Sequence, residues 1–110
     1  MDVATVRMRL EGMLQEIDRS IRVLKGEPVP PHERSAADGA ADLFDTDRVR
    51  AMLHVAGQQR TAVLAALKRL DDGGYGQCVD CGKPVPEGRL EARPEAARCV
   101  ACQSRTERRR

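Results

Sequence analysis

The stretch that decides the fold is residues 78–102, which reads CVDCGKPVPEGRLEARPEAARCVAC and holds two C-x2-C pairs separated by 17 residues. Two residues between cysteines allow a tight turn that directs both sulfurs to one point, and Gly82 supplies the backbone freedom for that turn. Four thiolates fill a tetrahedral shell and leave no open position for a substrate. The spacing therefore predicts one structural Zn²⁺. The predicted ligands are Cys78, Cys81, Cys99 and Cys102.

Three other interpretations of the four cysteines stay open. Two disulfides are one, although the reducing compartment expected below disfavours them. A thiol oxidoreductase is another, but neither pair lies in a βαβ pattern where a helix N-terminus would activate one thiol. The third is a zinc site that responds to redox state, which the spacing does not separate from an inert one. Because no nucleophile is paired with a base, we do not expect an enzyme.

Upstream of the cysteines, two segments repeat apolar residues every seven positions, which predicts helices over about 3–24 and 47–70. Asp2 is the predicted N-cap of the first helix, and Lys25-Gly26 followed by prolines ends it. Asp71-Asp72-Gly73-Gly74 ends the second helix. The two helices match in length and are predicted to pair antiparallel. The two series are Val3, Leu10, Ile17 and Leu24, then Val49, Ala56, Val63 and Leu70, and Leu53 and Leu67 complete the face of the second helix.

The composition agrees with a mainly α fold. The 110 residues are 41% apolar and 2% aromatic, with one Tyr, one Phe and no Trp, which favours helices over a β sandwich or barrel. We therefore predict an antiparallel two-helix coiled-coil arm over residues 1–72. A small C4 zinc-finger module with a short C-terminal helix and a basic tail follows over residues 73–110.

Charge and hydropathy set expectations for partners and location. The formal net charge of +2 is too small to indicate a nucleic-acid partner. No apolar run is long enough for a membrane span, and the N-terminus lacks the pattern of a secretory signal. We expect a cytoplasmic protein that does not contact membranes.

The connection between the two predicted helices is acidic. Residues 26–47 hold six acidic residues and one arginine, and a hairpin places its connection far from its base. We predict an acidic tip over residues 26–46. A solvated linker is the alternative.

Residues 70–103 resemble the zinc-finger region of the DksA/TraR family of bacterial RNA polymerase regulators. The resemblance covers about a third of the chain and extends beyond the cysteines. It includes Gly74-Tyr75-Gly76, Gly82-Lys83-Pro84-Val85, Arg89-Leu90-Glu91-Ala92, Pro94 and Gln103.

The resemblance implies a regulator that inserts its coiled-coil arm into the secondary channel of RNA polymerase, with the tip near the active site. It implies no sequence-specific contact with DNA and permits ppGpp at the interface. We expect a monomer. Active family members carry Asp-x-x-Asp-x-Ala at the tip. In this sequence Asp38 and Ala40 match that pattern, whereas Ser35 replaces the first carboxylate.

Two further functions remain as alternatives. The first is a zinc-stabilised protein–protein interaction module that dimerises or binds another helical partner through its heptads. The second is a nucleic-acid-binding zinc module that uses Arg98, Arg105 and the terminal arginines.

Overall fold

The computed structural model describes residues 2–27 and 46–109. Over these residues the fold is mainly α, as predicted, and the β pairing is limited to an isolated antiparallel bridge between Gln77 and Pro84. The last helix is the short C-terminal helix expected from the sequence. The helices are α1 (Val3–Leu24), α2 (Thr46–Asp72), α3 (Glu87–Ala92) and α4 (Val100–Arg108).

Both ends of α1 lie where the sequence signals them. Asp2 Oδ2 accepts hydrogen bonds from the backbone N–H of Thr5 at 3.3 Å and from its hydroxyl at 3.1 Å. This contact satisfies a donor that a helix start leaves free. At the other end the N–H of Glu27 donates to the carbonyl of Arg22 at 2.9 Å, the long hydrogen bond of a Schellman motif.

The second helix is longer than the sequence predicts. It begins at Thr46 and continues to Asp72, two residues past the predicted end. Gly73 then adopts a φ of +82°, a left-handed conformation that glycine takes at little cost. The N–H of Gly74 donates to the carbonyl of Arg69 at 2.9 Å, which closes the helix. The glycine therefore sets the end of α2, and the two aspartates before it remain helical.

The chain divides into two compact units, Met1–Glu11 with Ala62–Arg110, and Gly12–Thr61. In the first unit, the start of α1 and the end of α2 bury a narrow apolar seam, and Arg7 forms an ion pair with Asp71. The side chains of this seam are Val6, Leu10, Val63 and Ala66, each at most 1% exposed.

In the second unit, the described parts of α1 and α2 include an ion pair and partly buried apolar residues. Arg60 Nε donates to Asp18 Oδ1 at 2.7 Å, and both side chains are more than two-fifths exposed. Arg60 interrupts the apolar series of α2, and its guanidinium reaches out to the partner helix instead of leaving a gap. Ala56 is buried in this unit. In the first unit the start of α1 lies against the end of α2, as expected for an antiparallel pair.

Two details of the predicted seam need correction. Val3 is 57% exposed because it is the first residue of α1. On α2, Ala66 is fully buried, whereas Leu67 is only partly buried. Val63 and Ala66 are three residues apart, the spacing of a and d positions in a coiled-coil seam.

The predicted division of the chain at residue 72 concerns independent folding and stays a prediction. The predicted acidic tip over residues 26–46 lies almost entirely outside the described residues. None of the described helices is long and apolar enough to cross a bilayer.

Candidate metal centre

The first C-x2-C pair lies on a tight turn closed by backbone hydrogen bonds. The N–H of Cys78 donates to the carbonyl of Lys83 at 2.8 Å, and the N–H of Gly82 donates to the carbonyl of Cys78 at 2.9 Å. Gly82 has a φ of +76°, which a side chain would make costly. The turn thus holds Cys78 and Cys81 on one side, and the role predicted for Gly82 is confirmed.

The second pair lies at the start of α4. Cys99 is its N-cap residue, with extended backbone, and Cys102 lies in the first turn. The N–H of Gln103 donates to the carbonyl of Cys99 at 2.9 Å. A helix N-terminus favours negative charge, so this position suits two thiolates.

A small core brings the two pairs together. Val85 and Leu90 are buried against Cys78 and Cys102, and Tyr75 packs on this cluster. The hydroxyl of Tyr75 donates to the carbonyl of Pro94 at 2.9 Å. These contacts tie the connection between the two pairs to the cysteine cluster. The connection is also held to α1, because Arg9 Nη2 donates to the carbonyl of Glu91 at 2.9 Å.

Polar contacts join the two turns directly. The N–H of Val79 donates to the carbonyl of Ala97 at 2.9 Å. Arg98 Nε donates to Asp80 Oδ2 at 2.7 Å, so each turn contributes one partner to an ion pair. Arg89 Nε of α3 donates to the carbonyl of Arg98 at 3.1 Å. These contacts fix the spacing between the turns independently of the sulfurs.

The four sulfurs form one group. All lie within 4.8 Å of one another, and the sulfurs of Cys81 and Cys99 are 3.9 Å apart. A tetrahedral ZnS₄ unit with Zn–S bonds of about 2.3 Å has S···S edges of about 3.8 Å. The four cysteines of the described residues are all free of disulfide bonds. The arrangement fits a zinc ion with four thiolate ligands.

Crowding of the cysteines shifts the pKa values of Cys78 and Cys99 downward and that of Cys102 upward. Burial raises the pKa of Cys78, but backbone N–H groups of Cys81, Cys99 and Asp80 more than offset it and bring the pKa down to about 6. The N–H of Cys102 lowers the pKa of Cys99. The neighbouring Cys99 side chain, together with burial, raises the pKa of Cys102 to about 12. A divalent cation offsets the mutual repulsion of such thiolates.

One cationic side chain reaches a sulfur. Arg105 Nη2 lies 3.7 Å from Cys102 Sγ and donates a hydrogen bond to it. From the sequence, Arg105 and Arg98 are only possible nucleic-acid contacts, and the structure gives each a partner within the module. The signal for Arg105 was its position three residues after Cys102 on a predicted helix, since such residues are neighbours.

The structure thus brings the four predicted ligands together. The tip residues Asp38 and Ala40 lie outside the described residues. The sequence patterns above do not predict α3, which has six residues and a single buried side chain, Leu90. Its signals were Pro86 immediately before it and Glu87 in its first turn.

Residues 73–108 match the prokaryotic dksA/traR C4-type zinc finger. A curated relative, the RNA polymerase-binding transcription factor DksA of Caulobacter vibrioides, is 41% identical over 75 residues, covering 68% of this chain and 48% of the relative. The zinc-finger module of this chain is therefore of the DksA/TraR type. The module holds one structural zinc, and the family resemblance found in the sequence is confirmed.

Other DksA proteins are similar over more of the chain. The Escherichia coli K12 protein of the same name is 29% identical over 97 residues, covering 84% of this chain and 60% of that protein. The chain therefore spans about half to three-fifths of the length of these curated relatives.

Solved structures confirm the fold. The solution structure of the DnaK suppressor protein of Agrobacterium tumefaciens C58 has a TM-score of 0.66 and 28% identity, covering 94% of this chain and 93% of that one. The transcription factor DksA2 of Pseudomonas aeruginosa has a TM-score of 0.55 at 24% identity, covering 97% of this chain and 78% of that one. The second likeness concerns the fold alone.

Proposed function

We propose that the chain binds bacterial RNA polymerase through the secondary channel and modulates transcription initiation without sequence-specific contact with DNA. The observation that carries the proposal is a DksA/TraR zinc finger over residues 73–108 that follows an antiparallel helix pair. The relatives similar over both parts are named as RNA polymerase-binding transcription factors.

Within this proposal, the zinc ion holds the base of the arm. Cys78, Cys81, Cys99 and Cys102 are its proposed ligands, because their sulfurs form the one such cluster among the described residues. A bound zinc supplies fixed geometry and no chemistry on a substrate, since four protein ligands close its shell. The core side chains Val85 and Leu90 pack against Cys78 and Cys102, the two buried cysteines of the site.

The acidic connection is the proposed effector. Residues 26–47 carry six acidic residues and one arginine, and a channel lined by basic side chains and Mg²⁺ attracts negative charge. Asp38 and Ala40 are the residues assigned to this role by the family pattern. A single carboxylate at Asp38, with Ser35 in the other position, perturbs a cationic site less than a pair would.

The experiment is binding of the zinc-loaded protein to bacterial core RNA polymerase, with a known secondary-channel factor as competitor. We expect competitive binding, whereas binding without competition would place the protein elsewhere on the enzyme. The same assay with and without ppGpp tests whether the alarmone raises affinity at the interface.

Tip variants then separate binding from regulation. Asp38→Asn and Ala40→Thr should bind polymerase with unchanged affinity and lose the effect on initiation in a promoter assay. If both variants keep the full effect, the tip assignment is wrong. Whether the effect is activation or inhibition is read from the same assay.

A second candidate function is a helical interaction module. It is favoured by apolar side chains left exposed on α1 and α2, among them Met8 at 73% and Val55 at 51%. Exposed apolar groups on a helix are used in dimers and in binding another helix. Sedimentation distinguishes the two functions, because this module predicts a concentration-dependent dimer and the regulator predicts a monomer.

A further inference from the structure

We propose that Arg105 is a positioning residue for the zinc site, which slows loss of the metal by donating a charge-assisted hydrogen bond to Cys102. The observation is the 3.7 Å contact between Arg105 Nη2 and Cys102 Sγ, made from one turn further along α4. This role concerns retention of the metal and is separate from polymerase binding.

The physical reason lies in the charge of the site. One Zn²⁺ with four thiolate ligands carries a net charge of −2, and nearby hydrogen-bond donors stabilise such a centre and orient its ligands. Cys102 is 4% exposed, so water has little access to its sulfur. The guanidinium of Arg105 supplies a donor and a positive charge where solvent does not.

The charged side chains near Arg105 have partners other than Cys102. The other arginine beside the cysteines, Arg98, is paired with Asp80 at 2.7 Å. The acidic residue of α4, Glu107, accepts a hydrogen bond from Gln103 Nε2 at 3.1 Å. In the contacts of the described residues, Arg98 and Glu107 bind these other partners and not Cys102 Sγ. The charged side chain that contacts this sulfur there is Arg105.

The proposal is tested by the rate at which the protein loses zinc. The zinc-loaded full chain is mixed with an excess of the chromogenic chelator 4-(2-pyridylazo)resorcinol, which reports the released metal. Removal of a partner that hydrogen-bonds a metal ligand costs about 10-fold to 100-fold in metal affinity. We therefore expect Arg105→Gln to release zinc at least about tenfold faster than the wild type. Arg105→Lys keeps the charge with a shorter reach and should fall between the two.

Arg108→Gln is the matched control. Arg108 lies three residues further along the same helix and is exposed, so this variant makes the same change in net charge and in helix composition. It should release zinc at the wild-type rate. If it releases zinc as fast as Arg105→Gln, overall charge is responsible and the proposal is overturned.

A spectroscopic readout separates the hydrogen bond from general stability. With Co²⁺ in place of Zn²⁺, removing a donor from a thiolate raises the energy of its electrons and moves the sulfur-to-cobalt absorption band to longer wavelength. Arg105→Gln should show this shift and Arg108→Gln should not. Wild-type release rates together with an unshifted band in Arg105→Gln would overturn the proposal. If Arg105→Gln does not fold, Arg105→Lys gives the same two readouts.

Discussion

The fully buried side chains of the helix pair are aliphatic, whereas two of the four residues in the buried core cluster of the zinc module are cysteines. In the pair they are Val6, Leu10, Val63 and Ala66, spread over two helices and held by apolar contact. In the core cluster of the module, Cys78 and Cys102 are buried with Val85 and Leu90. The pair therefore relies on a shared apolar seam, and the module on a metal centre with a very small core.

This difference explains why the two regions carry unequal information about identity. Many heptad sequences can bury an aliphatic seam, so the helix pair alone indicates a fold but no family. The module must place four sulfurs within 4.8 Å, which requires fixed spacings and a glycine at the turn after Cys81. That requirement made the family recognisable from residues 70–103 alone.

The largest expected effect is loss of one zinc ligand. In Cys102→Ser the module loses a thiolate from a site whose zinc contributes on the order of 10 kcal/mol to folding. We expect zinc content to fall from one ion per chain to nearly none, and the module to lose its cooperative melting. Metal analysis by atomic emission and thermal melting followed by circular dichroism measure both effects.

A neighbouring serine provides the control for the cysteine variant. Ser104→Ala changes α4 two residues later and should keep one zinc ion and the wild-type melting temperature. If Cys102→Ser also keeps its zinc and its melting temperature, the four-cysteine assignment fails. The zinc module would then not depend on its metal, and it would not differ from the helix pair in this respect.

The sequence predicts features that have local signals, and it does not predict contacts between distant parts of the chain. The cysteine turns and the bounds of α1 have local signals, namely spacing, Asp2 and Gly26, so they could be predicted. Contacts such as Tyr75 to Pro94 and Arg9 to Glu91 join distant parts of the chain. No local pattern encodes them, because they depend on how the elements pack.

The second prediction tests the apolar seam. Leu10 is fully buried between α1 and α2, so Leu10→Ala removes apolar contact and leaves a cavity, which should lower the free energy of unfolding by about 2–5 kcal/mol. Val3→Ala is the control, since Val3 is 57% exposed and the change should stay within about 0.5 kcal/mol. Chemical denaturation of both zinc-loaded variants measures the difference. Equal losses would show that the seam does not hold the pair.

Partial burial also explains why the exact seam was harder to predict than the helices. The sequence offers Leu67 and Ala66 as neighbours on α2, and periodicity favours the larger apolar residue. The structure buries Ala66 completely, because a small side chain lets the two helices approach. Arg60 likewise occupies an apolar register and finds Asp18 instead.

The third prediction concerns the ion pair between the two cysteine turns. Arg98 and Asp80 are 32% and 43% exposed, so water and salt weaken their attraction. A double-mutant cycle with Arg98→Gln and Asp80→Asn should give a coupling energy of about 0.5–1 kcal/mol that falls with added salt. The same cycle on Arg60 and Asp18, both more than two-fifths exposed, provides the comparison in the helix pair. A coupling that is absent at low salt would contradict the prediction.

The smallest effect is expected at Arg69, where α2 ends. Its Nε and Nη2 atoms are buried without a hydrogen-bond partner among the described residues, and burial is the main cause that lowers the pKa of this arginine. Buried donors without partners oppose folding, so Arg69→Met should leave the free energy of unfolding unchanged or raise it by up to about 1 kcal/mol. Denaturant titration of the zinc-loaded protein measures the change, with Lys68→Met as the control at an exposed neighbour. A loss of stability in Arg69→Met larger than in the control would show that Arg69 stabilises the junction through its charge. Arg69 would then stabilise the zinc module, as the cysteines do, and not the apolar seam of the helix pair.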